Sequence, residues 1–182
     1  MNDYAGQYRL LSWLSPSYPV GAFSYSHGLE FAVETGAVSD RASLISWLKT
    51  VLIHGTGRID GVLFREAHAA TRAEDWARLK DIAEFGNAFQ PTPEFARESR
   101  AQGAAFVRVT RSAWPSPALN EIDEDVAYPI AVAVSCAGHD ISCRGGLQGY
   151  FHAFMGNLVS AAVRLIPLGQ TDGQRAVAAL ED

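Results

Sequence analysis

From Tyr4 onward the apolar positions recur at steps of three and four residues and almost nowhere alternate. That spacing is the period of an α-helix rather than of a half-buried strand. Tyr4–Leu14 places Leu10, Leu11 and Leu14 on one side. Asp40 reads as the N-cap of a helix over Arg41–His54. Its inner face would be Leu44, Trp47, Leu48, Val51 and Leu52, and Gly55 and Gly57 would end it. Two more helical runs follow, over Ile59–Ala73 and Glu74–Phe89. Thr92-Pro93-Glu94 is a start signal, with a capping hydroxyl, proline in the first turn, and an acid at the positive end of the helix dipole. That helix should reach about Arg111, before the loop WPSPALNEIDED. Another spans Pro129–Gly138, Ser142 caps a long one to Leu165, and Thr171 opens the last. No alternating run, repeat or domain linker interrupts the series. The pattern predicts an all-α fold, a single domain over residues 1–182 with about eight to ten helices.

Composition narrows the function classes. The chain has 182 residues, 48% hydrophobic and 19% charged, within the ordinary globular range. A net charge of -5 without any local run of Lys and Arg argues against nucleic-acid binding. The start, MNDYAGQYRLLSWL, has no basic region followed by an apolar run, so no secretory signal is expected. The longest apolar stretch, Phe151–Leu168, contains Arg164 and Pro167 and reads as core rather than as a membrane span. Two cysteines without a secretory signal fit reduced thiols and a cytoplasmic protein.

A nucleophile elbow needs glycine two residues either side of the serine. Ser26 has Gly28 after it but Ser24 before it, and Ser24 has Ala22 before it. Cys136, His139 and Cys143 would share a face on one continuous helix, but Gly138 and Ser142 predict a stop and a new start between them. Cys136 then reads as a small buried hydrophobe. His27 and Glu30 supply two ligands at most, too few for a strong metal site. No phosphate-binding loop of the G-x-x-x-x-G-K type occurs, so no nucleotide site is expected. The expected catalytic residues, metal ligands and cofactors are none.

The densest stretch is Ser15–Glu30, SPSYPVGAFSYSHGLE. Pro16, Tyr18 and Pro19 should hold the chain extended, and Gly21 can supply the turn into a helix. A helix over Ser24–Thr35 would put Tyr25, Leu29, Ala32 and Val33 on the core side, with His27, Glu30 and Glu34 opposite and Phe31 at the edge. The outcome would be a rigid aromatic loop beside a polar helix face, a shape suited to recognition. On Pro93–Arg111, Phe95, Ser99, Gly103, Phe106 and Thr110 should face the core. Glu94, Glu98, Ala101 and Ala105 form an outer stripe with Arg97 and Arg108 beside it.

The stretch SPSYPVGAFSYSHGLE resembles the N-terminal signature of the urease accessory protein F (UreF) family. PEFARESRAQG at 93–103, YPIA at 128–131 and PLGQTDGQ at 167–174 agree with the same family, in its order. Val132-Ala133 replaces the Phe-Gly that usually follows YPxA, a packing variation. The resemblance implies an all-α, often dimeric, cytoplasmic protein that does no chemistry itself. It implies a bridge between the nickel-carrying GTPase UreG and the accessory protein UreD/UreH on apo-urease. Family chains usually run beyond the PLGQT helix into a polar tail, so a tail missing after Asp182 is an expectation here. Partner-binding residues are expected at Pro19, Phe23, Ser24, Tyr25, His27, Glu30 and Phe31, at Glu94, Arg97, Glu98 and Gln102, and at Gln170. Structural roles are expected for Gly21, Gly28, Tyr128, Pro129, Pro167 and Gly169, and for Thr171 with Gln174 as a capping box. A nickel carrier using His27, His139 or Cys136, and a small hydrolase, are the alternative function classes.

Overall fold

The computed structural model describes residues 3–21 and 26–181. Among these the chain forms nine α-helices and a short 3-10 helix, with no strand, so the all-α expectation holds. The helices are α1 (Asp3–Trp13), α2 (Leu29–Glu34), α3 (Arg41–His54), α4 (Thr56–Arg72), α5 (Trp76–Ala88), α6 (Pro93–Ala113), α7 (Tyr128–Gly138), α8 (Cys143–Leu165) and α9 (Gln170–Ala178). Their ends follow local chemistry. The Asp40 carboxylate accepts from the Ser43 amide at 2.8 Å and starts α3. The Thr92 hydroxyl accepts from the Phe95 amide at the head of α6. Ser142 takes the Gly145 amide and starts α8, which ends two residues before Pro167.

The chain divides into two compact units, Met1–Gly21 with Ile59–Tyr150, and Ala22–Arg58 with Phe151–Asp182. In the first unit α7 is the central element. Every residue from Pro129 to Ala137 is buried, as a helix apolar all round must be. Val132 and Ala133 are wholly inside, which fits a packing variation at that place. Around α7 lie Trp13, Phe64, Leu79, Phe106, Val107 and Leu119, all at 0% exposure. The Trp13 and Phe106 rings meet edge-on, their centroids 6.1 Å apart. The loop after α6 is more ordered than a polar connection suggests. It holds the 3-10 helix Pro117–Glu121, and the Arg111 guanidinium donates to the carbonyls of Leu119 and Ile122.

In the second unit the core is Leu29, Ala32, Val38, Leu44 and Leu48 against Met155, Leu158, Val159, Ala162 and Ala176. Gly173 lets α9 sit close to α8, since a methyl there would lie 2.9 Å from a Val163 methyl. Arg41 and Asp172 add an ion pair between α3 and α9 at 2.6 Å.

Three local expectations need correction. On α1 the expected face Leu10–Leu11–Leu14 loses only Leu11: Leu10 and Leu14 are half-buried and lie against Gly149 of α8. Trp13 is buried and Gly6 lies against Ile141, while Leu11 is 69% exposed beside Tyr8 at 68% and Tyr4 at 77%. The helix expected over Ser24–Thr35 is, among its described residues, only Leu29–Glu34. His27 and Gly28 take positive φ angles of 49° and 81°, which no right-handed helix can contain. Finally, α9 begins at Gln170 with Gly169 as N-cap and no side-chain cap. Thr171 already has helical backbone, so its hydroxyl cannot reach back as a capping group does, and the Thr171–Gln174 box does not form.

Candidate partner-binding surfaces

The predicted recognition residues lie on α2, on α6 and around α9, with Pro19 and His27 before α2. On α2, Leu29 and Ala32 are buried, while Glu30 and Phe31 point out, Phe31 with 70% of its surface exposed. That part of the expected face stands. His27 does not share it, because the turn Ser26–Gly28 carries the ring inward, half-buried and edge-on to Phe154 at 4.7 Å. Phe23, Ser24 and Tyr25 lie outside the described residues. Gly28 closes the turn in the left-handed region, where glycine carries no Cβ penalty.

Pro19 is exposed, and Gly21 takes the positive φ expected of a turn residue, 74°. Tyr18 is not presented. It is 8% exposed, and its hydroxyl meets that of Thr110 at 2.7 Å, a partner supplied by α6. Burial pushes its phenol above the usual tyrosine range, opposed in part by the Thr110 bond.

On α6 the PEFARESRAQG segment turns out to be chiefly a joint. Gly103 lies so near the Val126 carbonyl that an added methyl would sit 1.9 Å from its oxygen. The Ser99 hydroxyl accepts from the Tyr128 amide at 3.1 Å, so α6 caps the first turn of α7. Arg100 makes a two-pronged ion pair with Asp125, which it holds below the usual carboxylate range. Pro129, in the first turn of α7, lacks an amide hydrogen that would otherwise need a partner. Tyr128 packs against Phe106 and Tyr150, and burial raises its phenol. PEFARESRAQG and YPIA thus form one contact. Gln102, expected at a partner surface, is 7% exposed and reaches Glu98 along the helix. A buried amide cannot present itself, so Gln102 is corrected to a structural role. Glu94 and Arg97 are exposed and Glu98 is half-buried. On the neighbouring α5 the exposed ring of Phe85 stacks with that of Phe89, the helix's C-cap residue, at 5.0 Å.

The surface at α9 is a groove of about 390 Å³ between α8 and α9. Val159, Val163 and Val177 line its floor, and His152, Arg164, Gln170 and Gln174 its rim. Gln170, a predicted contact residue, and Gln174, predicted as a cap, meet here. Residue spacing alone could not show it, because the groove needs two helices brought together.

Cys136, His68 and His139 are engaged in structure. The helix breaks between Cys136 and Cys143 as expected, and Cys136 is wholly buried with its thiol pushed up to about 12. His68 Nε2–H donates to the Ile141 carbonyl at 2.9 Å and His139 Nε2–H to that of Trp114 at 3.0 Å. Desolvation by burial lowers both imidazoles. Among the described residues no three His, Cys, Asp or Glu side chains converge as metal ligands. No helix among them is long and apolar enough to cross a membrane.

Comparison with known proteins agrees with this arrangement. A model of the UreF family matches residues 38–181. A protein of Granulibacter bethesdensis named urease accessory protein UreF is 52% identical, with 98% of this chain and 77% of that protein aligned. Relatives of the same name occur in a Bradyrhizobium species, at 49% identity over 98% of this chain and 76% of theirs. Another is found in Rhodopseudomonas palustris, at 48% over 97% and 76%. Matched over most of its length by the family model and nearly half identical to these relatives, this all-helical chain belongs to the UreF family.

Proposed function

We propose that the chain is a non-catalytic scaffold of urease maturation in the cytoplasm. It bridges the nickel-carrying GTPase UreG and UreD/UreH on apo-urease, so that GTP hydrolysis is coupled to nickel insertion, and it does so as a homodimer. Membership of the UreF family carries this reading. The disposition of polar groups supports it. Cys136, His68 and His139 serve packing and backbone carbonyls, whereas Phe31, Phe85 and Phe89 are spent on solvent. Exposed aromatics cost hydration and are enriched where partners bind. Nickel is cargo here and belongs to the partners.

The test is reconstitution. The purified chain mixed with UreG and UreD/UreH should migrate as one complex, and apo-urease should gain nickel and activity only when it is present. Separate migration together with equal activation in its absence refutes the scaffold role.

A further inference from the structure

Gly156 is a helical glycine for which the described residues supply no structural reason. It lies inside α8, in backbone that any residue adopts, and half-buried. No atom of the described residues comes within 4 Å of a methyl placed on it. Gly173, across the groove, is explained by its close approach to Val163 and Val159; Gly156 is not. A glycine in a helix interior is unfavourable relative to alanine, and nothing among the described residues offsets that here. The space above Gly156 is the groove itself.

The groove also has a sign. Arg164, His152, Ser160, Gln170 and Gln174 line it, and among the described residues no carboxylate does, in a chain of net charge -5. The Arg164 guanidinium meets only the Ser160 hydroxyl, at 3.0 Å, and no carboxylate among the described residues. Asp172, on the same helix as Gln170, is held by Arg41 and Arg175. The first amides of α9 have no side-chain cap, which adds partial positive charge at that end.

From this we infer that the α8–α9 groove receives an acidic polypeptide segment of an accessory partner. A partner carboxylate pairs with Arg164, with Gln170 and Gln174 amides beside it, and the segment's backbone passes over Gly156, where a side chain would stand in its way. A guanidinium suits this because it can offer a carboxylate two parallel donors. The inference rests on the scaffold reading, since it takes its partner from there.

The test measures binding of purified UreG and purified UreD/UreH to the full chain carrying Gly156→Ala, Gly156→Trp, Arg164→Lys or Arg164→Glu. Gly156→Ala should raise Tm by roughly 2–4 °C, as relief of an uncompensated helical glycine does. Gly156→Trp should fill the groove and weaken binding of one partner at least roughly thirtyfold, the loss typical of a hot spot. Arg164→Glu should do the same with only a small fall in Tm, since the position is exposed but lies in the last turn of α8, while Arg164→Lys loses less. If Arg164→Glu folds and binds both partners as the unsubstituted chain does, the groove does not read charge and the inference falls, whatever Gly156→Trp does. If Gly156→Ala lowers Tm by several degrees, the glycine has a structural reason and the inference falls as well. If the unsubstituted chain binds neither partner, it is the scaffold reading that fails.

Discussion

Gly103 and His27 show how a single position can reverse the meaning of a motif. A methyl at Gly103 would have to displace the Val126 carbonyl, and backbone does not yield as a flexible side chain does. Gly103→Ala should therefore cost about 3 kcal/mol, the upper end for overpacking, read as a lower midpoint in urea denaturation. Ser99→Ala removes the acceptor for the Tyr128 amide and should cost about 1 kcal/mol, as a lost hydrogen bond typically does. On α2 the two halves of the expected patch part company. His27→Ala should lower Tm because its ring packs on Phe154. Glu30→Ala with Phe31→Ala should leave Tm nearly unchanged, both being exposed, while weakening complex formation with UreG or UreD/UreH. A fall of many degrees in that double variant would place these side chains in the core.

At the level of elements, the α7–α8 corner is tied by two imidazoles. His68 from α4 holds the Ile141 carbonyl, and His139, at the end of α7, holds that of Trp114. The bonds themselves would suit a charged ring; it is burial that disfavours the charge. Burial lowers His68, opposed by the Ile141 bond and helped by Arg72; burial also lowers His139, helped by Arg9 and opposed by Asp140 and the Trp114 bond. Both folded values lie below the ordinary value of about 6.5, so the unfolded chain takes up protons first. Their contribution to stability is complete above that pH and is lost as pH falls from there through the depressed folded values. Tm measured from pH 8 to pH 5 should drop below about pH 6.5, and His68→Gln should flatten the drop. An unchanged slope would mean that the histidine titrates alike in both states. This corner also explains why Cys136, His139 and Cys143 do not share a face: Asp140 adopts a positive φ of 59° between the two helices.

For the molecule as a whole, the scaffold reading predicts a chain that does not bind GTP by itself, for want of a phosphate loop. Calorimetric titration should give no heat of binding at micromolar GTP, and a micromolar dissociation constant would contradict it. Nickel should likewise be well below stoichiometric in the purified chain, whereas a carrier would hold about one ion. How much of this was legible in the residues depends on range. The helix over Arg41–His54 and the caps at Asp40, Thr92 and Ser142 were readable because period and cap chemistry act within a turn or two. The buried α7 was readable from its ends, Pro129 at the start and Gly138 at the stop, because periodicity does not tell a helix from a strand in a run that is apolar throughout. The family was legible from four motifs in order, since those are strings of residues rather than contacts. The purpose of the motifs was not. Ser99, Arg100 and Gly103 acquire their roles only when Asp125, Val126 and Tyr128 arrive from beyond a loop. Tyr18 looked like a displayed ring until Thr110 offered its hydroxyl a buried partner. The groove that unites Gly156, Arg164 and Gln170 does not exist until α9 folds back on α8. Local periodicity is written in one segment at a time, so the sequence by itself determined the helices and the kinship. Which polar residues are consumed in packing and which remain for a partner is a property of surfaces in contact, and that only the tertiary structure decided.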